Sequence, residues 1–290
     1  MTIRIRLYRG IALLGMLLRE LTSPQTLQRQ SEPEPSMEDE SSVEGFHFAA
    51  ESLMPVYHFN ALAVSRLMPK SGVLLDLGSG SGQFLAYLAE VRPDIQIIGM
   101  DLSNAMVNRG RRFLDDKGLT DRVSLNVGDM MDFSDSPPDS INVVCAVFSL
   151  HHLPTREHLL KAFEEIRTVR QKFGCAVWIF DLVRPRNPVT PGIFPEILTP
   201  DTPTIFKEDT RNSLIAAWSY QEMINSLTEA GLGMTRHSQT PLLHFYQTHW
   251  LEPKSRQYME GHGYWIDSEQ SLDISRLYQK LKRLFPKSPT

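Results

Sequence analysis

The chain has 290 residues, with 30 Lys and Arg against 34 Asp and Glu, a formal net charge of −4. A 41% hydrophobic share excludes a disordered chain, and mild acidity argues against a nucleic-acid binder, which usually presents a basic face. Cys145 and Cys175 lie inside apolar runs without zinc or disulfide-framework spacing. They are expected to be buried thiols in a reducing compartment, the cytoplasm.

Residues 1–45 form an arm and linker. The run Ile11–Leu18 is far short of the ~20 residues that span a bilayer, and no small-residue cleavage site follows it. Arg4, Arg6, Arg9 and Arg19 accompany it with no acid. Three readings stay open: a helix packed on the body, an amphipathic helix lying on a membrane surface, and a mitochondrial transit peptide. Gln25–Glu44 is polar, contains Pro33 and Pro35, carries an unbalanced run of acids, and is expected to be a linker. Residues 46–250 make the main domain, opening with a lid element at 46–70.

Short apolar runs then alternate with helical patterns. Val73–Leu77, Ile95–Met100, Val123–Val127, Ile141–Phe148 and Ala176–Phe180 have the composition of parallel strands. Gln83–Val91, Asn104–Lys117 and Arg156–Arg170 are the intervening helices, with Ser103 and Thr155 as N-caps. The alternation predicts a doubly wound α/β sheet. Six prolines between Pro185 and Pro203 mark an irregular insertion, a second lid at 184–218. Ser219 and Glu222 form a capping box opening the helix Tyr220–Ala230. Met234–Ser238 and Leu243–His249 are expected to pair antiparallel. A basic, helical tail covers 251–290.

The informative segment is Asp76-Leu-Gly78-Ser79-Gly80-Ser-Gly82, between a strand and a helix. Its glycines permit a tight turn and let a ligand approach the backbone. A dinucleotide fingerprint needs glycine at 83, which is Gln83, so a nicotinamide enzyme is disfavoured. Asp76 suits an amine-bearing ligand. Asp101 ends the second strand, where a carboxylate can hold ribose hydroxyls, and Asp129 follows the third, placed to accept from an adenine amino group. Three acids at successive strand ends form one site by topology.

At these residues, and at Gly99-Met-Asp-Leu-Ser103, Gly128-Asp129-Met130 and Phe148-Ser-Leu-His-His-Leu-Pro154, the chain resembles the class I S-adenosylmethionine-dependent methyltransferases of the type-11 kind. The resemblance covers about residues 70–250. It implies a Rossmann-like seven-stranded sheet in the order 3-2-1-4-5-7-6, and S-adenosylmethionine as cofactor. Gly78, Ser79, Gly80 and Gly82 would wrap the methionine part, Asp101 with Leu102 would hold the ribose, Asp129 and Met130 the adenine, and Asp76 would lie near the amino group. The family's Pro-Gly-Gly turn before the fifth strand is replaced by Gln171-Lys-Phe-Gly174.

His151 and His152 follow the fourth strand and are candidate catalytic residues, as a base or as pocket walls. No third metal ligand is evident. Tyr57, His58, Asn60, Asp181 and Trp218 are candidate substrate contacts. Motifs for DNA-amino, arginine and arsenite methylation are missing, which leaves a small organic acceptor. The second reading is a cofactor-binding scaffold without turnover.

Overall fold

A computed structural model describes residues 3–254 except Gln25, Pro35, Ser136, Met234 and 241–243. The predicted C-terminal tail lies outside the described residues beyond Lys254. The arm contributes helix α1 (Ile3–Thr22), and the segment before the sheet contributes α2 (Glu40–Ala49) and α3 (Met54–Leu67). Then come β1 (Gly72–Leu77), α4 (Gln83–Val91), β2 (Ile95–Asp101), α5 (Asn104–Asp116), β3 (Val123–Val127) and β4 (Val143–Val147). The chain continues through α6 (Arg156–Phe173), β5 (Ala176–Leu182), α7 (Thr190–Leu198), α8 (Thr204–Ala216), α9 (Tyr220–Glu229), β6 (Arg236–Gln239) and β7 (Tyr246–Leu251).

The seven strands lie in the order β3-β2-β1-β4-β5-β7-β6, and β7 runs antiparallel to both neighbours. This is the sheet expected from the sequence, with the last two strands starting two to three residues later than read. Every residue of β4 and β5 is buried, because helices cover both faces. Alternate side chains go to opposite layers. Leu74, Cys145 and Trp178 pack with α3, α4 and α5, while Leu75, Val144 and Val177 pack with α6 and α9.

The caps explain where the helices begin. The side chains of Ser103 and Thr155 accept the backbone N–H of Met106 and His158, and Ser219 and Glu222 form the reciprocal capping box. Gly174 closes α6 in the left-handed region at φ 67°, so the turn lacking Pro-Gly-Gly is a glycine C-cap. The insertion 184–218 differs from expectation, since α7 and α8 occupy most of it. Two of its six prolines sit at helix starts, Pro191 in the first turn of α7 and Pro203 at the N-cap of α8, where no backbone N–H is required, while Pro195 lies inside α7.

Candidate active site

The loop after β1 is shaped by left-handed glycines, Gly78 at φ 76°, Gly80 at 52° and Gly82 at 73°. Gly78 and Ser79 donate their N–H groups to the Met100 carbonyl at 2.8 and 2.9 Å, pinning the loop to the end of β2. A Cβ on Gly78 would lie 2.3 Å from Cβ of Ser149, whose hydroxyl donates to the Leu77 carbonyl at 2.7 Å. A Cβ on Gly80 would meet nothing within 4 Å, so the backbone there is open to a ligand.

Asp101 ties two loops together. Its Oδ2 accepts the Gly80 N–H at 2.7 Å and its Oδ1 the Ser103 N–H at 2.9 Å. Each oxygen keeps a lone pair, which leaves the carboxylate able to receive a diol. Asp76 is 2% exposed and accepts the Cys145 thiol proton at 3.1 Å. Burial pushes its pKa up to about 7, against the smaller opposing effect of that bond. A buried carboxyl in this condition is matched to a cationic partner.

These groups open on one cavity of about 380 Å³ at the carboxyl ends of the strands. Asp76, Gly78, Ser79, Gly80, Asp101, Leu102 and Met130 all line it. Gly82 sits beside it as the N-cap of α4. Asp129 does not reach it; its Oδ1 accepts the Met131 N–H at 2.8 Å and closes the turn after β3. Both lid elements contribute, through Phe46, Leu53 and Tyr57 on one side and Ile205, Glu208, Asp209 and Asn212 of α8 on the other. Phe148 forms another wall at φ 56°, a backbone conformation rare for an aromatic residue.

The stretch expected to be a linker runs along the cavity instead, contributing Glu32, Glu34, Met37, Glu38 and Asp39. Its anchor is Arg29. The guanidinium donates to the carbonyls of Ala216 (2.7 Å), Pro154 (2.6 Å), Leu153 (2.5 Å) and His151 (3.2 Å), and lies 3.6 Å above the Trp218 ring. Glu38 accepts the N–H groups of Asn104 and Ala105 at the start of α5, both at 3.2 Å. Among the described residues the lining holds eight carboxylates and no lysine or arginine, which makes the cavity a host for cationic ligands.

At the far end lies the histidine turn. His152 lines the cavity, and its Nδ1 bonds Glu32 Oε2 at 2.5 Å. Burial alone would lower the His152 pKa; the bond to Glu32 and its charge outweigh that and raise it to about 9. Glu32 also accepts the Ser213 hydroxyl at 2.8 Å, and its own pKa falls to about 2, because His152 outweighs its desolvation. His152 is therefore an imidazolium at neutral pH, a donor rather than a proton acceptor.

His151 is buried behind it. Its Nδ1 meets Asp181 Oδ1 at 2.6 Å, and its N–H donates to Asp181 Oδ2 at 3.0 Å. Asp181 also accepts the Leu182 N–H, so it orients the turn instead of facing the cavity. Glu32, His151 and His152 each present one ligating atom, all within 4.8 Å. The sequence showed no third ligand beside the two histidines; Glu32 is one, and its contact with His152, shorter than the ~3.3 Å between two ligands of a tetrahedral zinc, is a hydrogen bond in this structure.

The substrate candidates divide. Tyr57 lines the cavity, its ring centroid 5.9 Å from Phe84, and burial raises its pKa. His58 bonds the Tyr87 hydroxyl. Asn60 accepts the Trp178 indole N–H at 2.8 Å in the core, and Trp218 donates to the Leu150 carbonyl at 2.9 Å. Neither His58, Asn60 nor Trp218 lines the cavity. Glu32, Glu38, Ser149 and Asp209 were not singled out from the sequence. The unbalanced acids between Glu32 and Glu44 were the one available signal.

Comparison with known proteins is consistent with this geometry. The family profile described as "Methyltransferase domain" matches residues 74–174. The chain is similar to 27-O-demethylrifamycin SV methyltransferase of Amycolatopsis mediterranei (strain S699), 33% identical over 88 residues, 30% of this chain and 32% of that protein. It is also similar to demethylmenaquinone methyltransferase of Symbiobacterium thermophilum, 30% identical over 101 residues, 34% of this chain and 40% of that protein. The matches thus span about a third of the length of these curated relatives. A solved SAM-dependent methyltransferase from Aquifex aeolicus superposes with TM-score 0.51 at 18% identity, covering 74% of this chain and 98% of its own. Residues 74–174 match a methyltransferase domain, and the seven-stranded sheet that contains them has the fold of the class I S-adenosylmethionine-dependent methyltransferases.

Proposed function

We propose that the chain binds S-adenosylmethionine in the acidic cavity and transfers a methyl group to a small organic acceptor by in-line displacement. The observation that carries this reading is the meeting of Asp76, the Gly78–Gly80 loop and Asp101 in one cavity whose described lining has eight carboxylates and, as its one basic side chain, the Glu32-paired His152. When bound, the cofactor supplies an electrophilic methyl on a sulfonium. Asp101 holds the ribose hydroxyls, Asp76 faces the ammonium, and Leu102 and Met130 flank the base. The carboxylate lining favours the sulfonium's positive charge, and Phe148 and Tyr57 keep the transfer region dry. His152, held as a cation by Glu32, donates to an acceptor's oxygen and orients it, and a hydroxyl proton released on transfer passes to a lining carboxylate or to water. The printed name of the Amycolatopsis relative, an O-demethyl substrate, supports an oxygen acceptor. The free thiols Cys145 and Cys175 support a cytoplasmic setting.

A second reading is cofactor binding without turnover, and the locking of His152 by Glu32 favours it, because no neutral imidazole then faces the acceptor. Calorimetric titration with S-adenosylmethionine followed by turnover over phenols, carboxylic acids and amines separates the two. Binding is expected, weakened more than about tenfold, or about 1.4 kcal/mol, by Asp101→Ala. Absence of binding to the folded wild type would overturn the proposal; binding without product from any acceptor would favour the scaffold.

A further inference from the structure

Helix α1 presents two apolar faces. Met16, 1% exposed, packs against Leu182, Phe194, Leu214 and Phe245. On the other side Ile11, Leu14, Leu18 and Leu21 are 63, 55, 53 and 55% exposed. At about 100° per residue these four fall within an arc of about 80°, roughly opposite Met16. The helix is therefore held to the body by one stripe while offering water another.

The net charge of the segment selects the stripe's partner. Residues 1–19 contain Arg4, Arg6, Arg9 and Arg19 and no acid. A second copy of the helix would bring the same cations against them. The chain's own tail is no better matched, since Arg276, Lys280, Lys282, Arg283 and Lys287 follow Asp273 without an acid. An anionic surface complements both the apolar stripe and the arginines. Among the described residues no helix is long and apolar enough to cross a membrane, so the contact is one of lying on it.

We propose that the exposed face of α1 docks on an anionic phospholipid bilayer. The face is fixed relative to the catalytic domain. Glu20, at the end of α1, accepts the N–H groups of Arg186 (2.7 Å) and Asn187 (3.1 Å) and the Thr190 hydroxyl, and α1 packs along α7. Docking therefore holds the second lid, α7 and α8, one helix layer behind the lipid surface.

The test is co-sedimentation of the full chain with vesicles of phosphatidylcholine plus phosphatidylglycerol, and with phosphatidylcholine alone. Binding to the anionic vesicles is expected, falling at high salt as the arginines are screened. Leu14→Glu with Leu18→Glu should reduce it at least about tenfold while leaving the thermal midpoint unchanged, because both side chains already face water. Arg19→Glu should weaken binding with the stripe intact. No binding to anionic vesicles, equal binding to both vesicle types, or unchanged binding by the folded double variant would each overturn the proposal. A wild-type dimer in analytical ultracentrifugation that the double variant dissociates would also overturn it, assigning the face to a second copy.

Discussion

Replacing Glu32 with Gln isolates the electrostatics of the histidine turn. Glutamine keeps a carbonyl for the Ser213 hydroxyl but removes the charge facing His152 Nδ1. In the wild type His152 titrates near 9 instead of 6.5, and Glu32 near 2 instead of 4.5. Both displacements describe one interaction and are counted once. A raised histidine contributes stability in full below pH 6.5 and loses it as pH rises through 9. A depressed carboxylate contributes in full above 4.5 and loses it as pH falls through 2. The pair is therefore fully effective between about pH 4.5 and 6.5. A displacement of about 2.5 decades of proton affinity corresponds to at most ~3.4 kcal/mol. The His152 side chain is 38% exposed, and water screening reduces the expected contribution to ~1 kcal/mol. NMR titration of the His152 ring should show its midpoint falling from about 9 toward 6.5 in Glu32→Gln, since only the charges of Asp209 and Asp181 then oppose burial. Urea denaturation should show wild type losing ~1 kcal/mol more than the variant between pH 6 and 10. A wild-type midpoint near 6.5, or one unmoved by the substitution, would refute the assignment of His152 as a neutral-pH cation.

The glycine loop and its acid can be tested in the same way. Gly78→Ala drives a Cβ to 2.3 Å from Ser149 in a left-handed conformation and should cost ~2 kcal/mol or more in chemical denaturation. Gly80→Ala meets open space and should cost ~1 kcal/mol, its effect appearing mainly as weaker cofactor binding. With its pKa near 7, Asp76 is mostly protonated at pH 6, and an ammonium partner favours the ionised form. Binding of S-adenosylmethionine at pH 6 should therefore release up to ~0.9 proton, measured by calorimetry in buffers of different ionisation enthalpy. The same group makes the empty protein less stable as pH rises from 3.8 through 7, and binding should offset that loss.

Much of this was legible in the chain because local chemistry and topology agreed. Ser103, Thr155 and the Ser219–Glu222 box mark helix starts through bonds to residues three positions away, so a short window contains the whole signal. The fully buried β4 and β5 advertise themselves as apolar runs, and Asp76 and Asp101 come together because parallel strands end at one edge. What escaped depends on distant partners. Asn60 has the composition of a pocket residue, but its carbonyl meets Trp178, 118 positions later. Glu32 lies in a polar, proline-containing stretch, and only the folded chain brings it to His152, 120 positions on. Prolines in the insertion suggested irregular chain because proline both breaks helices and starts them, and composition alone does not separate the two.

The Arg29 anchor carries a consequence for assembly order. Its bonds reach 122 to 187 residues along the chain, to the histidine turn and to the end of α8. A nascent chain emerging N-terminus first has nothing for this arginine to hold until the histidine turn at 151–154 has been made, and the set of partners is complete only at residue 216. The outer wall of the cavity, although encoded at the beginning, is therefore completed late, once the histidine turn and α8 are in place. A chain arrested before α8 would still form the β1–β2 end of the site, but as an open trough. Completion of the cavity thereby serves as an internal check that synthesis has passed the second lid.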